Sequence, residues 1–165
     1  MDFQKELTAE FDRESATSRK VLEAIPDDAD FAWKPHTKSM ALGRLAAHVS
    51  DTNGDWAMHT LTIDKLEWKP DMNPTDPTNK KDLLARFDKQ VAAVKPELAK
   101  MTSPKWDSNW KFVAGEQTWI DDTKYNVWRT WVLNHLVHHR AQLGVYLRLL
   151  DTKVPGCYGP SADEM

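Results

Sequence analysis

Apolar residues recur at helical spacing in four stretches of the chain. In the first, from about Asp2 to Ala24, Phe3, Leu7, Phe11, Val21 and Leu22 fall on one side. The middle of that stripe, Glu14, Ser15 and Ser18, is polar, and Pro26 ends the helix. The segment Pro26 to Ser39, with Phe31-Ala32-Trp33-Lys34-Pro35, has no period and is expected to be a loop. A second helix is predicted from Ser39, as N-cap, to about Leu66. Leu42, Leu45, Val49, Trp56 and Ile63 share its apolar face at spacings of three, four and seven.

Trp68 to Pro77 holds three prolines in ten residues and reads as a surface linker. The third helix begins near Asn79, a good N-cap, with Asp82 three residues on. Leu84, Phe87, Val91, Val94, Leu98 and Met101 form its narrow seam, which Pro96 is expected to kink or shorten. Between Ser103 and Asp122 the period changes to alternation. Trp110, Phe112, Gln117 and Trp119 around Ala114-Gly115 predict a short β-hairpin. The fourth helix runs from about Thr123 to Leu150, with Trp128, Val132, Leu143, Tyr146 and Leu150 on one stripe. The tail Val154–Met165, with two prolines and two glycines, is expected to be extended. The resulting class is all-α: one domain over residues 1–165, a four-helix bundle with one long crossover and a short hairpin before the last helix.

Composition narrows what such a bundle does. Lys and Arg number 22 against 25 Asp and Glu, giving a net charge of −3. They are scattered, so no basic face draws the chain to DNA or RNA. Cys157 is the one cysteine and has no disulfide partner within the chain. The N-terminal MDFQKELTAE is charged where a signal peptide is apolar, and no stretch approaches the roughly 18 apolar residues of a membrane span. A soluble, cytoplasmic protein is the expectation. Eight tryptophans in 165 residues point to large flat packing or to a lined pocket.

The histidines carry the candidate chemistry. On the fourth helix, Asn134-His135-Leu136-Val137-His138-His139-Arg140 places His135 and His139 about 40° apart on the wheel and about 6 Å apart along the axis. Two imidazoles at i and i+4 converge on one ion, as in helical zinc sites. Both lie near the centre of the apolar stripe, where unpaired polar groups cost of order 1–3 kcal/mol. His138 points about 80–100° away and is the poorer partner. A lone core histidine is ordinarily only hydrogen-bonded; two in register are a different matter. A third ligand from another helix completes a catalytic set with an open position. The second helix offers His48 and His59, about 16 Å apart along it, which therefore cannot share an ion. Spacing does not choose between them, and His36, in the loop, is a weaker candidate. There is no Glu-x-x-His, no His-Glu-x-x-His, no phosphate loop and no nucleophile elbow. Cys157 as a nucleophile lacks an identified base.

Three blocks resemble the DinB superfamily, also called damage-inducible or YfiT-like, a family of metal-dependent enzymes. They are Leu45-Ala46-Ala47-His48 following Trp33-Lys34-Pro35 and Ser39; His135-Leu136-Val137-His138-His139-Arg140-Ala141-Gln142-Leu143 followed by Leu147-Arg148; and Val154-Pro155-Gly156 with Tyr158-Gly159-Pro160-Ser161. The resemblance implies an up-down-down-up bundle holding a divalent metal (nickel, zinc or iron) on His48, His135 and His139. It also implies a homodimer. Relatives are assigned as hydrolases, or as transferases that activate a low-molecular-weight thiol such as bacillithiol or mycothiol. A metal on three neutral imidazoles keeps its charge and lowers the pKa of a bound water or thiol. A non-catalytic bundle that binds a metal or ligand is the alternative, and a fourth ligand from His138 or Asp163 would favour it. Asp51 and Asp55 are either acceptors behind an imidazole or solvated surface acids, the latter favoured for Asp51. Arg140 and Gln142 are candidates for substrate contact, with a surface salt bridge equally open for Arg140. Tyr158 either closes the site or, by preference, anchors the tail. Trp128 and Trp131 wall the pocket or fill the core, with core preferred for Trp128.

Overall fold

The computed structural model describes residues 3–72 and 74–165. The predicted helix start at Asp2, and Asn73 of the predicted linker, lie outside them. Among the described residues, four long helical rods carry the fold. The first is α1, Phe3–Glu23. The second joins α2, Leu42–Asp51, to α3, Ala57–Thr62, through a π-helical turn at Thr52–Trp56, with helical dihedrals at both junctions. The third is α4, Lys80–Leu98. The fourth runs from α6, Lys124–Val127, through a π-helical segment at Trp128–Asn134 into α7, His135–Leu149. A short helix, α5, spans Ser103–Trp106.

Packing fixes the directions of the rods. Leu7 and Phe11 of α1 meet Val94 and Leu98, Ala57 and Leu61, and Trp128 and Val132 at one end. Val21 and Leu22 meet Leu83 and Phe87, Leu42 and Leu45, and Leu143 and Leu147 at the other. The first and fourth rods therefore run one way and the second and third the other.

The all-α expectation is corrected by a three-stranded sheet in the order β1-β2-β3. Strands β2, Asn109–Ala114, and β3, Gln117–Thr123, are the predicted hairpin. Its turn uses Gly115 at φ 57°, where a side chain would be strained. Strand β1, Lys65–Glu67, pairs parallel to β2 with Leu66 opposite Phe112. It arises where the second helix was expected to continue to Leu66; that helix ends at Thr62. Parallel pairing links segments far apart in sequence, so no local period announces it.

Two further boundaries move. The second helix is capped by Ala41, with no side-chain cap from Ser39. Asn79 does cap α4, accepting from the Asp82 N–H at 2.9 Å, and α4 continues through Pro96 to Leu98. On the seam of α4 it is Leu83 that is fully buried, with Leu84 only partly so. The apolar face predicted for the second helix holds for Leu42, Leu45 and Val49 but fails at Ile63, which is exposed. The π turn inserts an extra residue into the helical repeat and rotates everything after it. Ala57, Thr60 and Leu61 consequently face inward instead. The tail is not simply extended. Asp163 accepts from Arg148 and from the Val154 N–H at 2.8 Å, and Glu164 accepts from the N–H groups of Gly156 and Ser161, folding it against the bundle.

Polar residues gather where the π turn meets its neighbours. Asn53 Nδ2 donates to Ser15 Oγ at 3.0 Å, and Ser50 Oγ donates to Gln90 Oε1 at 2.6 Å. Arg86 and Gln90 of α4 both donate to Asp51 Oδ1. Gly54 makes room for this: a Cβ there would lie 2.5 Å from Gln90 Cβ and 2.6 Å from Cδ. Substituting Gly54→Ala should therefore destabilise by about 1–3 kcal/mol through overpacking. Gly144→Ala, whose Cβ would meet only Val154 Cγ1 at 3.7 Å, should be neutral or stabilising through helix propensity. Urea unfolding of both variants checks the opposite signs.

Candidate metal centre

The second and fourth rods carry His48 and the His135/His139 pair into the interior, where α2 packs against α7. One Nε2 of each imidazole points to a common centre. His135 Nε2 lies 3.3 Å from His48 Nε2 and 2.7 Å from His139 Nε2, and the ligating atoms all fall within 4.8 Å of one another. Metal–nitrogen bonds of about 2.0–2.1 Å at tetrahedral to octahedral angles need nitrogen separations of about 2.9–3.4 Å. The two separations from His135 lie within a few tenths of an ångström of that range.

Three neutral imidazoles cannot satisfy one another in this arrangement. Gln142 Oε1 accepts at 2.7 Å from His139 Nδ1, which must therefore carry the proton, so His139 Nε2 presents a lone pair. His135 has one proton for two nitrogens, and its buried Nδ1 has no well-formed hydrogen bond. The Trp131 carbonyl lies close enough to favour protonation but is not in bonding geometry. Whichever nitrogen bears the proton, a buried polar atom is left over. A cation at the common centre would take the inward lone pairs and leave the outer nitrogens as N–H donors, so these residues fit a divalent metal.

Electrostatics keep the ligands available. Burial is the main cause that pushes His48 down to about 3, with His139, His135 and Arg44 adding to it. Burial likewise brings His139 down to about 4, against the opposing pull of Gln142, and lowers His135. All three are therefore uncharged near neutral pH.

The remaining candidates separate clearly. His59 stays out of the triad but lines the same cleft as His48, and burial lowers its pKa too. His138 is exposed, with its ring 4.8 Å from that of His139, and His36 is exposed in its loop. Asp163 is held by Arg148 in the tail. Among the described residues no carboxylate or cysteine joins the three histidines. Asp51 is bonded to Arg86 and Gln90 and to no imidazole. Arg140 is 2% exposed and is consumed by packing: it pairs with Glu14 at 2.7 Å and donates to Ser18 Oγ and Tyr158 Oη. The polar break in the α1 stripe is its receptor. Tyr158 also donates to Glu14, so it pins the tail to α1. Trp128 is core, whereas Trp131 stands perpendicular to His135 with centroids 6.0 Å apart. Cys157 is exposed in the tail.

Two clefts reach the triad, each at a different histidine. One of about 270 Å³ reaches His48 and is lined by Arg44, Asp55, Trp56, Leu66, Trp68 and Phe112, among others. Another of about 420 Å³ reaches His139 and Gln142 between Ser39, Met40 and Tyr146. Sequence reasoning missed Arg44, Trp68 and Phe112 because β1 and the linker bring them together only in space. Gly54 inside a helical period was the one local hint of the π turn.

The profile of the DinB family matches residues 1–165. A crystal structure of a DinB-like protein from Bacillus cereus ATCC 10987 is similar at a TM-score of 0.72 and 21% identity, over 92% of this chain and 95% of that one. A comparison with curated proteins found no match. No helix among the described residues is long and apolar enough to cross a membrane.

The lowered histidine pKa values make the metal-free protein acid-sensitive. Unfolded histidines titrate near about 6.5, so between that value and the folded values of about 3 to about 4 the unfolded chain binds more protons. The stabilisation from neutral burial is complete above about 6.5 and is lost as the pH falls through this window. The urea midpoint of chelated protein should drop from about pH 7 to about pH 5. A His48→Gln/His139→Gln variant should show a flatter profile.

Proposed function

The chain belongs to the DinB family, and from that premise we propose that it is a metal-dependent enzyme acting on a small molecule. The observation that carries this reading is the convergence of three neutral, carboxylate-free imidazole nitrogens beside an open cleft. His48, His135 and His139 would hold a divalent transition metal, with nickel, zinc and iron all suited to imidazole. Three protein ligands leave a coordination position open, as catalytic sites do, whereas a structural site is closed by a fourth. Such an ion supplies Lewis acidity, which brings the pKa of a water or thiol toward neutrality. The reaction is therefore hydrolysis or transfer to a low-molecular-weight thiol.

The chain's own groups prepare that chemistry. Gln142 fixes the tautomer and orientation of His139 by accepting from its Nδ1–H. The Arg140–Glu14 pair locks α7 against α1, holding the His135/His139 register. Desolvation around His48 keeps its imidazole free of a competing proton. Trp56, Leu66 and Phe112 give the cleft beside His48 an apolar wall. The outer face of α7, with Val145 and Leu149 more than half exposed, supports a homodimer.

Metal analysis by plasma mass spectrometry on untagged protein tests the centre. About one transition-metal ion per chain is expected. It should be lost in His139→Ala and His48→Ala and retained in His59→Ala, with circular dichroism confirming that each variant folds. Rebinding should raise stability by about 2.7 kcal/mol at a free-metal concentration of 100 Kd. Parallel screens for ester or amide hydrolysis and for thiol conjugation then separate the two reactions. Protein that neither holds nor gains a metal would overturn the reading.

A further inference from the structure

The cleft at His48 is electrically polarised along its length. At one end stands Arg44, whose Nη1 is 3.0 Å from Asp76 Oδ1 and so already paired. At the other end Asp55 lies near enough to His59 to push that imidazole up. Of the two carboxylates in the wall, Asp51 is occupied by Arg86 and Gln90. Asp55 is exposed and has no hydrogen bond or ion pair among the described residues. Asp51 Oδ2 also lacks a partner but is buried, so among the described residues Asp55 is the unpaired carboxylate of this wall that faces solvent.

Aromatic residues line the same cleft as that charge. Trp56 follows Asp55 on the π turn, and its ring meets Phe112 of β2 at 5.2 Å and 71°. Trp68, at the end of β1, is 40% exposed over the same cleft, beside the similarly exposed Met72. Aromatic faces carry negative potential and attract cations, most strongly where water is partly excluded. His59 would repel a cation if protonated, but burial is the larger influence on it and keeps it neutral. An anion bound here would face the unpaired Asp55 and would have to share Arg44 with Asp76.

Resting on the reading of this cleft as the substrate pocket of the metal centre, we propose that it selects a small molecule carrying a protonated amine on an apolar body. The ammonium meets Asp55 and the faces of Trp56, Trp68 and Phe112, and the opposite end of the ligand, a Lewis base, points toward the histidines. Ammonium recognition is the specificity element, and Asp55 is its determinant.

Calorimetric titration of the full chain with benzylammonium and benzyl alcohol, near-isosteres differing in charge, tests this at neutral pH. Benzoate is titrated after chelation, so that no ion can ligate it. Benzylammonium should bind about tenfold more tightly than either, with the advantage shrinking in high salt. Asp55→Asn should abolish the preference over benzyl alcohol, and Trp68→Leu, at an exposed position, should weaken ammonium binding several-fold without altering the unfolding midpoint. Equal binding of the three probes, binding of none, or a preference that survives Asp55→Asn would overturn the inference. Metal content measured on the same preparations separates the outcomes. Stoichiometric metal without ammonium selectivity defeats the amine inference alone, whereas selectivity without metal defeats the enzyme reading and leaves an amine-binding cleft.

Discussion

Three imidazole nitrogens held within 4.8 Å of one another between the second and fourth rods set the terms for the surrounding structure. Desolvation keeps the rings neutral, and neutral rings facing each other with lone pairs cannot all be satisfied by their own protons. The bundle therefore stores an unsatisfied polar centre whose natural complement is a cation. Everything that orients the rings follows from keeping that centre assembled. Gln142 holds His139, the antiparallel packing of α2 on α7 brings His48 across, and Arg140 ties α7 to α1.

A second constraint lies one turn away on each ligand-bearing rod. The π turn at Thr52–Trp56 and the π segment at Trp128–Asn134 touch each other across the bundle. Such segments cost regular hydrogen bonding and are frequent at functional sites. Here the first of them rephases the second rod, so that α2 presents His48 while Asp55, Trp56 and His59 fall on a cleft wall. The opposite wall comes from the small sheet: β1 pairs with β2 and places Leu66 and Phe112 together. The sheet is an addition to the helical frame, and its role is to enclose one side of the histidine centre.

Buried ionic contacts in this fold follow the same logic of containment. Arg140 and Asp51 are both nearly removed from water, and each has several partners: Glu14, Ser18 and Tyr158 for the first, Arg86 and Gln90 for the second. A buried charge without partners would be strongly unfavourable, so these networks act as fixed joints between specific rods. Arg86 also donates to the Thr75 carbonyl at 3.0 Å, which fastens the linker beside the cleft to the same joint. Residues that sequence spacing offered for catalysis thus turn out to hold the frame, and the cleft is left to Asp55, His59 and the aromatic rings.

Much of this was legible in the chain itself, because helical periodicity and i, i+4 spacing are local properties. The four rods, the cap at Asn79, the hairpin around Gly115 and the convergence of His135 with His139 all follow from residues within a turn or two of each other. The HHRAQL block carried the family. What remained open was whatever depends on a phase shift or on distant pairing. The π turn moved Ile63 out of the core and Leu61 into it, which an α-helical wheel cannot express. Strand β1 needed β2, more than 40 residues away, before its backbone groups had partners. Spacing left His48 and His59 open, and only the family resemblance implied His48. Its place beside the pair, and the roles of Arg140 and Asp51 as joints, became visible when the rods packed, since burial and partner distance exist only in the assembled fold.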